Sequence, residues 1–408
     1  MISDKTLLDI SKEYGTQTYV FDAQEALSRA GSIHSILNDN SQDGCTIGLC
    51  YSIKANPFLI PVLGEVVEFF EVCSPGELEI CIKEGVPGRK IIYSGVHKEA
   101  EDISRAVEYG AAILTAESIR HYELIKEAAK GINGKIGIIL RLTSQNQFGM
   151  SQEDLEYIIR DNKDNPDSNI VIEGIHYFAG TQREKLKHQK RELQMLKELI
   201  VSLRERFGIA LPRLEYGPGL AYPYFADEDS SDTLRPLKEL AAELRDIATL
   251  CELTVEMGRF LASSCGYYLT RICDIKSSSD NNWCIVDGGI NHVNYLGSMM
   301  GLKVPHIRFL SADARKDKSG NSTDISADVK SYTVCGSLCT ANDVLVRSLD
   351  MHSPQTGDVL AFENIGAYSV TEGIYLFLSR TMPTIVIFND GKIMKIRDRI
   401  EPWHLNCR

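Results

Sequence analysis

Short apolar runs alternate with longer amphipathic stretches between about residues 45 and 262. Runs of roughly four to eight apolar residues bounded by polar segments are typical of buried strands. The pattern predicts eight strands: Thr46–Ile53, Phe69–Val72, Lys90–Tyr93, Ala111–Leu114, Lys135–Leu142, Ile170–Tyr177, Arg213–Tyr216 and Glu252–Glu256. It predicts helices between them, including Gly76–Glu84, Glu99–Tyr109, Ser118–Lys130, Gln182–Phe207 and Leu234–Leu250.

The order of these elements indicates parallel βα units. Several predicted helices precede a glycine that suits a left-handed C-cap, namely Gly85, Gly110, Gly131 and Gly208. Eight strands are the number that closes a (β/α)8 TIM barrel, so the expected fold class is α/β. An open doubly wound sheet is the competing architecture.

The pattern changes after residue 262, where short strands are separated by turns. The predicted strands are Tyr267–Ile275, Trp283–Val286, Ser331–Val334, Asp358–Phe362, Thr384–Phe388 and Lys392–Ile396, the last pair joined by the hairpin signal Asn389-Asp390-Gly391. Gln17–Phe21 also reads as a strand, with Asp22 as the N-cap of a helix over Ala23–Ala30. We therefore predict a barrel over residues 24–262 and a β-sandwich or barrel-like domain built from residues 1–23 and 263–408. Asp313–Asp328 is polar and is predicted as a surface loop.

Composition narrows the class of protein. The 408 residues suffice for two or three domains of about 150 residues each. The net charge of −12 repels phosphate backbones and argues against nucleic-acid binding. No apolar stretch is long enough to span a membrane, and the N-terminus does not resemble a signal peptide, so we expect a cytoplasmic protein. The eleven cysteines show no metal-binding spacing and are expected to be mostly buried thiols, with no metal site.

Unusual polar residues follow the predicted barrel strands. Lys54 follows the first strand, Glu71 ends the second, Arg141 ends the fifth and Glu256 ends the eighth. Catalytic groups of such barrels lie at the carboxyl ends of the strands, so these side chains are expected on one rim. Lys54 is either a solvated rim residue or a reactive amine.

Glycines and an arginine near the last two barrel strands indicate a phosphate site. Gly217 and Gly219 follow the seventh strand, and Gly258 and Arg259 follow the eighth, where these barrels bind phosphate through backbone N–H groups. Together with a reactive lysine, they favour pyridoxal 5′-phosphate as the cofactor. Glu256 would then keep the pyridine nitrogen protonated, or alternatively form an ordinary ion pair with Arg259.

Six segments resemble motifs of the fold-type III pyridoxal-phosphate decarboxylases, the group of diaminopimelate, ornithine and arginine decarboxylases. YSIKANP is similar to Y-x-x-K-A-N, FEVCSPGEL to F-D-V-x-S-x-G-E-L, and EMGRF to E-P-G-R-[FY]. GSLCTANDVL is similar to G-P-x-C-[DE]-x-x-D-x-L. The remaining two are Gly217-Pro218-Gly219 and Gly366-Ala367-Tyr368, which match a glycine triplet and a G-A-Y motif.

The resemblance implies a homodimer with shared active sites. Lys54 would be the Schiff-base lysine, and Glu71, Phe178, Thr181 and Tyr368 would lie around the cofactor. Cys339 and Asp343 would reach the active site of the partner subunit, where the cysteine protonates the substrate carbon after carbon dioxide leaves. Arg141, His292 and Asp343 are the candidate substrate residues, and Lys54, Glu256 and Cys339 the candidate catalytic residues.

Departures from the family motifs bear on the substrate. Phe178 replaces a histidine that stacks on the pyridine ring, Thr340 replaces an acid that engages a distal amine, and Glu71 replaces an aspartate. Where diaminopimelate decarboxylases carry R-P-x-[LM]-Y for the distal carboxylate, this chain has Ile290–Tyr295, which includes His292. His176 is expected to be structural.

With these departures, the chain resembles the branch of the family that decarboxylates modified amino acids in antibiotic and siderophore biosynthesis. The expected function is decarboxylation at Cα of a small or carrier-protein-linked amino acid. Three alternatives remain: diaminopimelate decarboxylase of lysine biosynthesis, an amino-acid racemase and a non-catalytic regulatory homologue. Glu256 speaks against the racemase, which prefers an arginine there, and the presence of Lys54 and Cys339 speaks against the regulatory homologue.

Overall fold

The computed structural model describes residues 1–39, 46–130, 132–165, 169–279, 281–296, 301–311 and 329–408. The chain divides into two compact units. We call them the barrel unit, formed by Leu27–Tyr222 and Asp232–Leu261, and the β unit, formed by Met1–Ala26, Pro223–Ser231 and Ala262–Arg408. Among the described residues, no helix combines the length and the apolar character needed to cross a bilayer.

The predicted barrel domain over residues 24–262 differs from the barrel unit mainly in the segment Pro223–Ser231. Its contacts with other parts of the β unit explain why it groups with that unit. Ala226 N–H donates to the Val304 carbonyl at 2.9 Å, and Phe225 forms a β-bridge with Pro305.

The first three elements are helix α1 (Asp4–Tyr14), strand β1 (Thr18–Asp22) and helix α2 (Ala23–Asn38). Asp22 caps α2 as predicted, because its Oδ1 accepts a hydrogen bond from Glu25 N–H at 3.1 Å. The helix continues beyond the predicted end at Ala30.

Eight parallel strands then close into a barrel: β2 (Gly48–Ser52), β3 (Phe69–Val72), β4 (Ile91–Tyr93), β5 (Ile113–Ala116), β6 (Ile136–Arg141), β7 (Ile170–Phe178), β8 (Arg213–Gly217) and β9 (Glu252–Met257). The barrel closes where β2 pairs with β9, with Cys50 opposite Glu256. The predicted barrel is confirmed, and the competing open sheet is wrong.

Helices α3 to α10 belong to the same βα pattern: α3 (Ile60–Leu63), α4 (Pro75–Lys83), α5 (Ala100–Tyr109), α6 (Ile119–Ala129), α7 (Gln152–Asp164), α8 (Lys187–Phe207), α9 (Arg235–Ala248) and α10 (Arg259–Ala262). Serine side chains cap three of them, as when Ser74 accepts from Glu77 N–H at the start of α4. Gly110 and Gly208 adopt the predicted left-handed conformation after α5 and α8. Gly131 lies outside the described residues.

The β unit contains a mixed nine-stranded sheet. Its later strands are β10 (Gly266–Ser277), β11 (Asn282–Val286), β12 (Ile307–Leu310), β13 (Val329–Cys335), β14 (Val344–His352), β15 (Val359–Glu363), β16 (Thr384–Asn389) and β17 (Lys392–Arg397). The order is β14-β13-β11-β10-β1-β16-β17, with β15 pairing β10 and β12.

The N-terminal strand belongs to this sheet, as predicted. β1 pairs antiparallel with β10 and parallel with β16. The predicted hairpin between β16 and β17 is also confirmed, because Asp390 and Gly391 both have positive φ values of 47° and 77°. Strands β12 and β14 were not predicted, and the predicted loop Asp313–Asp328 lies outside the described residues.

Candidate active site

Lys54 lies directly beyond the carboxyl end of β2, in the short 3₁₀ turn Ile53–Ala55. Its Nζ donates to Glu71 Oε2 at 2.7 Å and lies 3.7 Å from Glu256 Oε1. Both carboxylates are almost completely buried, whereas the lysine side chain is 37% exposed. Three of the four residues that the sequence placed on one rim, Lys54, Glu71 and Glu256, therefore meet at one accessible amine.

Glu256 is held by two further side chains. Ser52 Oγ donates to Oε1 at 2.8 Å, and His176 Nε2 lies 3.2 Å from Oε2. Burial by itself would raise the pKa of Glu256, but the charge of Lys54 and the hydrogen bond from His176 hold it well below its ordinary value. Glu256 is therefore a permanently ionised carboxylate in the barrel mouth, as a partner for a protonated ring nitrogen must be.

Cys73 also contacts Lys54, although the sequence analysis gave this cysteine no role. Lys54 Nζ donates to its Sγ at 3.4 Å, and its backbone N–H donates to Glu77 Oε2 at 2.7 Å. Burial and the charge of Glu71 raise the pKa of this thiol well above its ordinary value, so it stays protonated. Its position directly after β3 was the available signal.

His176 is more than the structural residue that the sequence indicated, because it orients Glu256 by a direct hydrogen bond. Its neighbour in register on β8 is Glu215, a fully buried carboxyl that sequence reasoning did not single out. The signal for both lies in the strand alternation, which turns these side chains into the barrel.

The two glycine-bearing loops after β7 and β8 approach each other too closely for a side chain. A Cβ on Gly219, whose φ is +58°, would lie 1.7 Å from the Gly180 carbonyl oxygen. A Cβ on Gly217 would lie 2.4 Å from the Phe178 ring. The loops are joined by the Arg183 N–H, which donates to the Gly219 carbonyl at 2.9 Å.

Arg259 lies beside the two glycine-bearing loops, where its Nε donates to Thr181 Oγ1 at 3.4 Å. The half-buried backbone of Gly180, Gly219 and Gly258, a hydroxyl and a guanidinium form a donor set suited to a phosphate. Pyridoxal phosphate fits the arrangement, since it needs an amine for its aldehyde, an anion for its ring nitrogen and donors for its phosphate. Lys54, Glu256 and the loops around Gly219 offer these groups within one unit.

Arg141, a predicted substrate residue, has a partner inside the barrel unit. Its Nη1 donates to Glu117 Oε1 at 3.0 Å, and its guanidinium lies 4.8 Å from the centre of the Phe148 ring. Glu117 also accepts from Gly149 N–H, and the arginine is 7% exposed. The guanidinium is therefore engaged in a buried ion pair that fixes the loop after β6.

The β unit contains the other predicted residues. Cys339 is exposed. Asp343 is buried, and its two oxygens accept from the backbone N–H groups of Ile290 and Leu338 at 2.8 and 2.7 Å. Asp343 therefore supports the turn that carries Cys339. Tyr368 adopts a positive φ of 67°, and its carbonyl accepts from two N–H groups in the turn that follows.

His292 is enclosed in the β unit, where it is 1% exposed. Tyr268 Oη lies 2.7 Å from its Nδ1, and Nε2 lies 2.9 Å from the Thr381 carbonyl. A neutral ring that accepts from the tyrosine and donates to the carbonyl satisfies both contacts. Burial lowers the pKa of His292 to about 4, so the ring is neutral near pH 7. Both ring nitrogens are engaged in contacts inside the β unit.

Comparison with known proteins identifies the class. The profile of the family described as "Pyridoxal-dependent decarboxylase, pyridoxal binding domain" matches residues 31–263. The chain belongs to this family and is a pyridoxal-phosphate-dependent amino-acid decarboxylase.

Individual relatives are distant but cover nearly the whole chain. The diaminopimelate decarboxylase of Methanocaldococcus jannaschii is 23% identical over 96% of this chain and 90% of its own length. The L-glutamyl-[BtrI acyl-carrier protein] decarboxylase of Niallia circulans is 24% identical over 95% and 92%. The crystal structure of the M. jannaschii enzyme with L-lysine superimposes with a TM-score of 0.81 at 22% identity, covering 96% of this chain and 92% of that one. This likeness confirms the predicted fold.

Proposed function

We propose that this decarboxylase acts at the Cα of a modified amino acid, either free or linked to a carrier protein, in secondary metabolism. The observation that carries the proposal is the state of His292. It occupies the segment Ile290–Tyr295, where diaminopimelate decarboxylases carry an arginine motif for the distal carboxylate. Because both of its ring nitrogens are engaged by Tyr268 and Thr381, it offers no cation to such a carboxylate.

Two further residues of this segment are engaged by other parts of the β unit. Tyr295 Oη donates to the Glu363 carbonyl at 2.6 Å, and Asn294 Nδ2 donates to Glu372 at 2.8 Å. Arg141, the other candidate cation, is paired with Glu117. A substrate without a free distal carboxylate, such as an acyl group bound through that end to a carrier, suits these residues. The name of the Niallia circulans relative describes such a substrate.

Within the site, the Lys54 amine would hold the cofactor through its aldehyde. The bound cofactor supplies an electron-accepting ring that takes up the electron pair left when carbon dioxide departs. Glu71 holds the Lys54 amine in position, and Glu256 keeps its negative charge against the ring nitrogen. Thr181, Arg259 and the glycine loops would hold the phosphate, and Phe178 would face the ring. The family resemblance also assigns Tyr368 to the phosphate.

A second copy of the chain completes the site in this proposal. The partner subunit's Cys339 donates a proton to the substrate carbon, and the partner subunit's Asp343 fixes the turn that carries it. The exposure of Cys339 and the backbone contacts of Asp343 support these roles. A homodimer with two shared sites is therefore expected.

A substrate panel tests the proposal. We would measure carbon dioxide released from free L-glutamate, a glutamyl group on an acyl-carrier protein, meso-diaminopimelate, ornithine and lysine. The expected result is turnover of a substrate whose distal carboxylate is masked, with kcat/KM at least about tenfold above that for meso-diaminopimelate. Preference for meso-diaminopimelate would support the second candidate, the diaminopimelate decarboxylase that the M. jannaschii relative represents.

A further inference from the structure

Helix α8 contacts both of the glycine-bearing loops. Its first turn carries Gln189, a side chain that is completely buried. The Nε2 of Gln189 donates to the Pro218 carbonyl at 3.2 Å and to the Arg183 carbonyl at 3.4 Å. Because carbonyl oxygens only accept, the nitrogen end of the amide must face them. One buried side chain therefore joins the loop after β8 to the loop after β7.

The contact with Pro218 also sets the direction of a backbone N–H. The Pro218 carbonyl and the Gly219 N–H belong to one planar trans peptide, so they point in opposite directions. A donor that holds the carbonyl oxygen on the α8 side therefore turns the Gly219 N–H away from α8. Pro218 is buried whereas Gly219 is half-buried, and the Gly219 N–H has no acceptor among the described residues. This N–H is a backbone donor that a ligand can reach.

The peptide on the other side of Gly219 is fixed as well. The Gly219 carbonyl accepts from the Arg183 N–H at 2.9 Å, and the Arg183 guanidinium donates to Glu192 on α8. Tyr216 Oη donates to the same carboxylate at 2.9 Å. Gln189 and Glu192 are three residues apart and lie on one face of the helix. The first two turns of α8 therefore brace both peptides that flank Gly219.

A glutamine is costly at the position of Gln189. Its Oε1 is buried and has no nitrogen or oxygen hydrogen-bond partner in the part of the chain that the structure describes. A leucine would fill a similar volume without burying an unsatisfied acceptor. This cost points to a role for the amide nitrogen beyond packing.

We propose that Gln189 is a positioning residue for the cofactor, which directs the Gly219 N–H toward the phosphate of bound pyridoxal phosphate. The glutamine side chain does not touch the cofactor. It acts through the Pro218–Gly219 peptide, whose N–H becomes a stronger donor when its carbonyl accepts a hydrogen bond. This inference rests on the proposed binding of the phosphate by the glycine loops.

Cofactor binding to Gln189→Leu tests this role. The full cofactor-free chain is titrated with pyridoxal phosphate, and binding is followed by the visible absorbance of the lysine-bound cofactor. The Kd should be roughly tenfold above that of the wild type, because a hydrogen bond to a charged group is misaligned. Pyridoxal, which lacks the phosphate, should bind both chains equally. Gln194→Leu removes an exposed glutamine of the same helix, whose amide donates to Glu198, and should match the wild type with both ligands.

The two ligands separate positioning from general support of the fold. Equal weakening of pyridoxal phosphate and pyridoxal in Gln189→Leu would show that the glutamine only stabilises the barrel. Unchanged binding of both ligands would show that the glutamine does not direct the N–H. Either result overturns the inference.

Hydrogen exchange of the wild-type chain tests the same N–H without a substitution. Overlapping peptide fragments resolve the Gly219 amide, since Pro218 has no N–H of its own. Pyridoxal phosphate should slow exchange at Gly219, whereas pyridoxal should not. Binding of pyridoxal phosphate without this protection would overturn the inference and leave the proposed function intact. Failure of the wild-type chain to bind pyridoxal phosphate would instead contradict the proposed function.

Discussion

The barrel mouth and the His292 ring are both buried, yet they differ in how their hydrogen bonds are satisfied. Around Lys54, two buried carboxylates, Glu71 and Glu256, share one lysine. Deeper in the barrel, neither the Glu215 oxygens nor His176 Nδ1 have a nitrogen or oxygen hydrogen-bond partner among the described residues. In the β unit, both ring nitrogens of His292 have partners. Uncompensated polar groups are costly and mark a site built to receive something, whereas satisfied ones mark structural support.

The largest expected effect belongs to Lys54. Lys54→Ala should lower carbon dioxide release by roughly 10³-fold or more, because the amine that binds the cofactor aldehyde is lost. The visible absorbance of the lysine-bound cofactor should disappear as well. Lys83→Ala, on the exposed end of α4, is the matched control and should behave as the wild type. A retained absorbance band in Lys54→Ala would contradict the assignment.

A mixture of Lys54→Ala with Cys339→Ala tests the proposed shared site. Cys339→Ala should bind the cofactor normally but release product slowly. When it is mixed with Lys54→Ala under conditions that allow subunits to exchange, up to roughly a quarter of wild-type activity should return, because mixed dimers contain one intact site. No recovery would place both residues in the same subunit's site.

A smaller effect is expected at Glu256. Glu256→Gln retains a similar shape but removes the charge that stabilises a protonated ring nitrogen, so kcat/KM should fall by roughly 10²- to 10³-fold. Glu173→Gln removes a carboxylate from the same barrel unit without touching the site and should change kcat/KM by less than about twofold. An unchanged kcat/KM in Glu256→Gln would show that the carboxylate is only a structural partner of Lys54.

The smallest effect concerns stability rather than catalysis. The pKa of His292 is about 4 in the folded chain, and that of an unfolded histidine is about 6.5. The unfolded state therefore gains a proton first as the pH falls, and the contribution of His292 to stability is lost below about pH 6.5. We expect a loss of about 2 kcal/mol between about pH 6.5 and pH 5.

Chemical unfolding of the wild type and His292→Gln across this range measures the loss. The variant should show a shallower decline, and the decline that remains should include the share of His121, whose pKa burial also lowers to about 4. Parallel curves would mean that His292 is not held neutral. Activity of the folded variant should stay within about twofold of wild type, because the ring does not contact substrate in our proposal.

Most of the barrel could be predicted from sequence because buried parallel strands leave continuous apolar runs. Strand β14 was missed because only three of its nine residues, Leu345, Val346 and Met351, are buried. Strand β12 was missed because only Leu310 of its four residues is buried. The grouping of Lys54, Glu71 and Glu256 followed from their place at strand ends. Cys73 was placed at the same rim but given no role, and Glu215 was missed, because their importance depends on what the closed barrel places beside them.

The candidate substrate residues stay predictions, but the structure adds contacts that the motifs did not indicate. Arg141 was proposed because it ends a barrel strand, and His292 because it lies where related enzymes carry a motif for the distal carboxylate. Their partners, Glu117 for the arginine and Tyr268 and Thr381 for the histidine, lie up to 89 positions away in the chain. A local motif cannot predict contacts between residues that lie so far apart in the chain.

The sequence by itself determined the class of fold, the family and the residues that surround the amine, because these depend on local periodicity and short motifs. Only the tertiary structure decided which polar groups are compensated. Hydrogen bonding and desolvation depend on neighbours brought together by barrel closure and sheet pairing. They separate the satisfied His292 from the fully buried Glu215, whose carboxyl oxygens have no nitrogen or oxygen hydrogen-bond partner among the described residues.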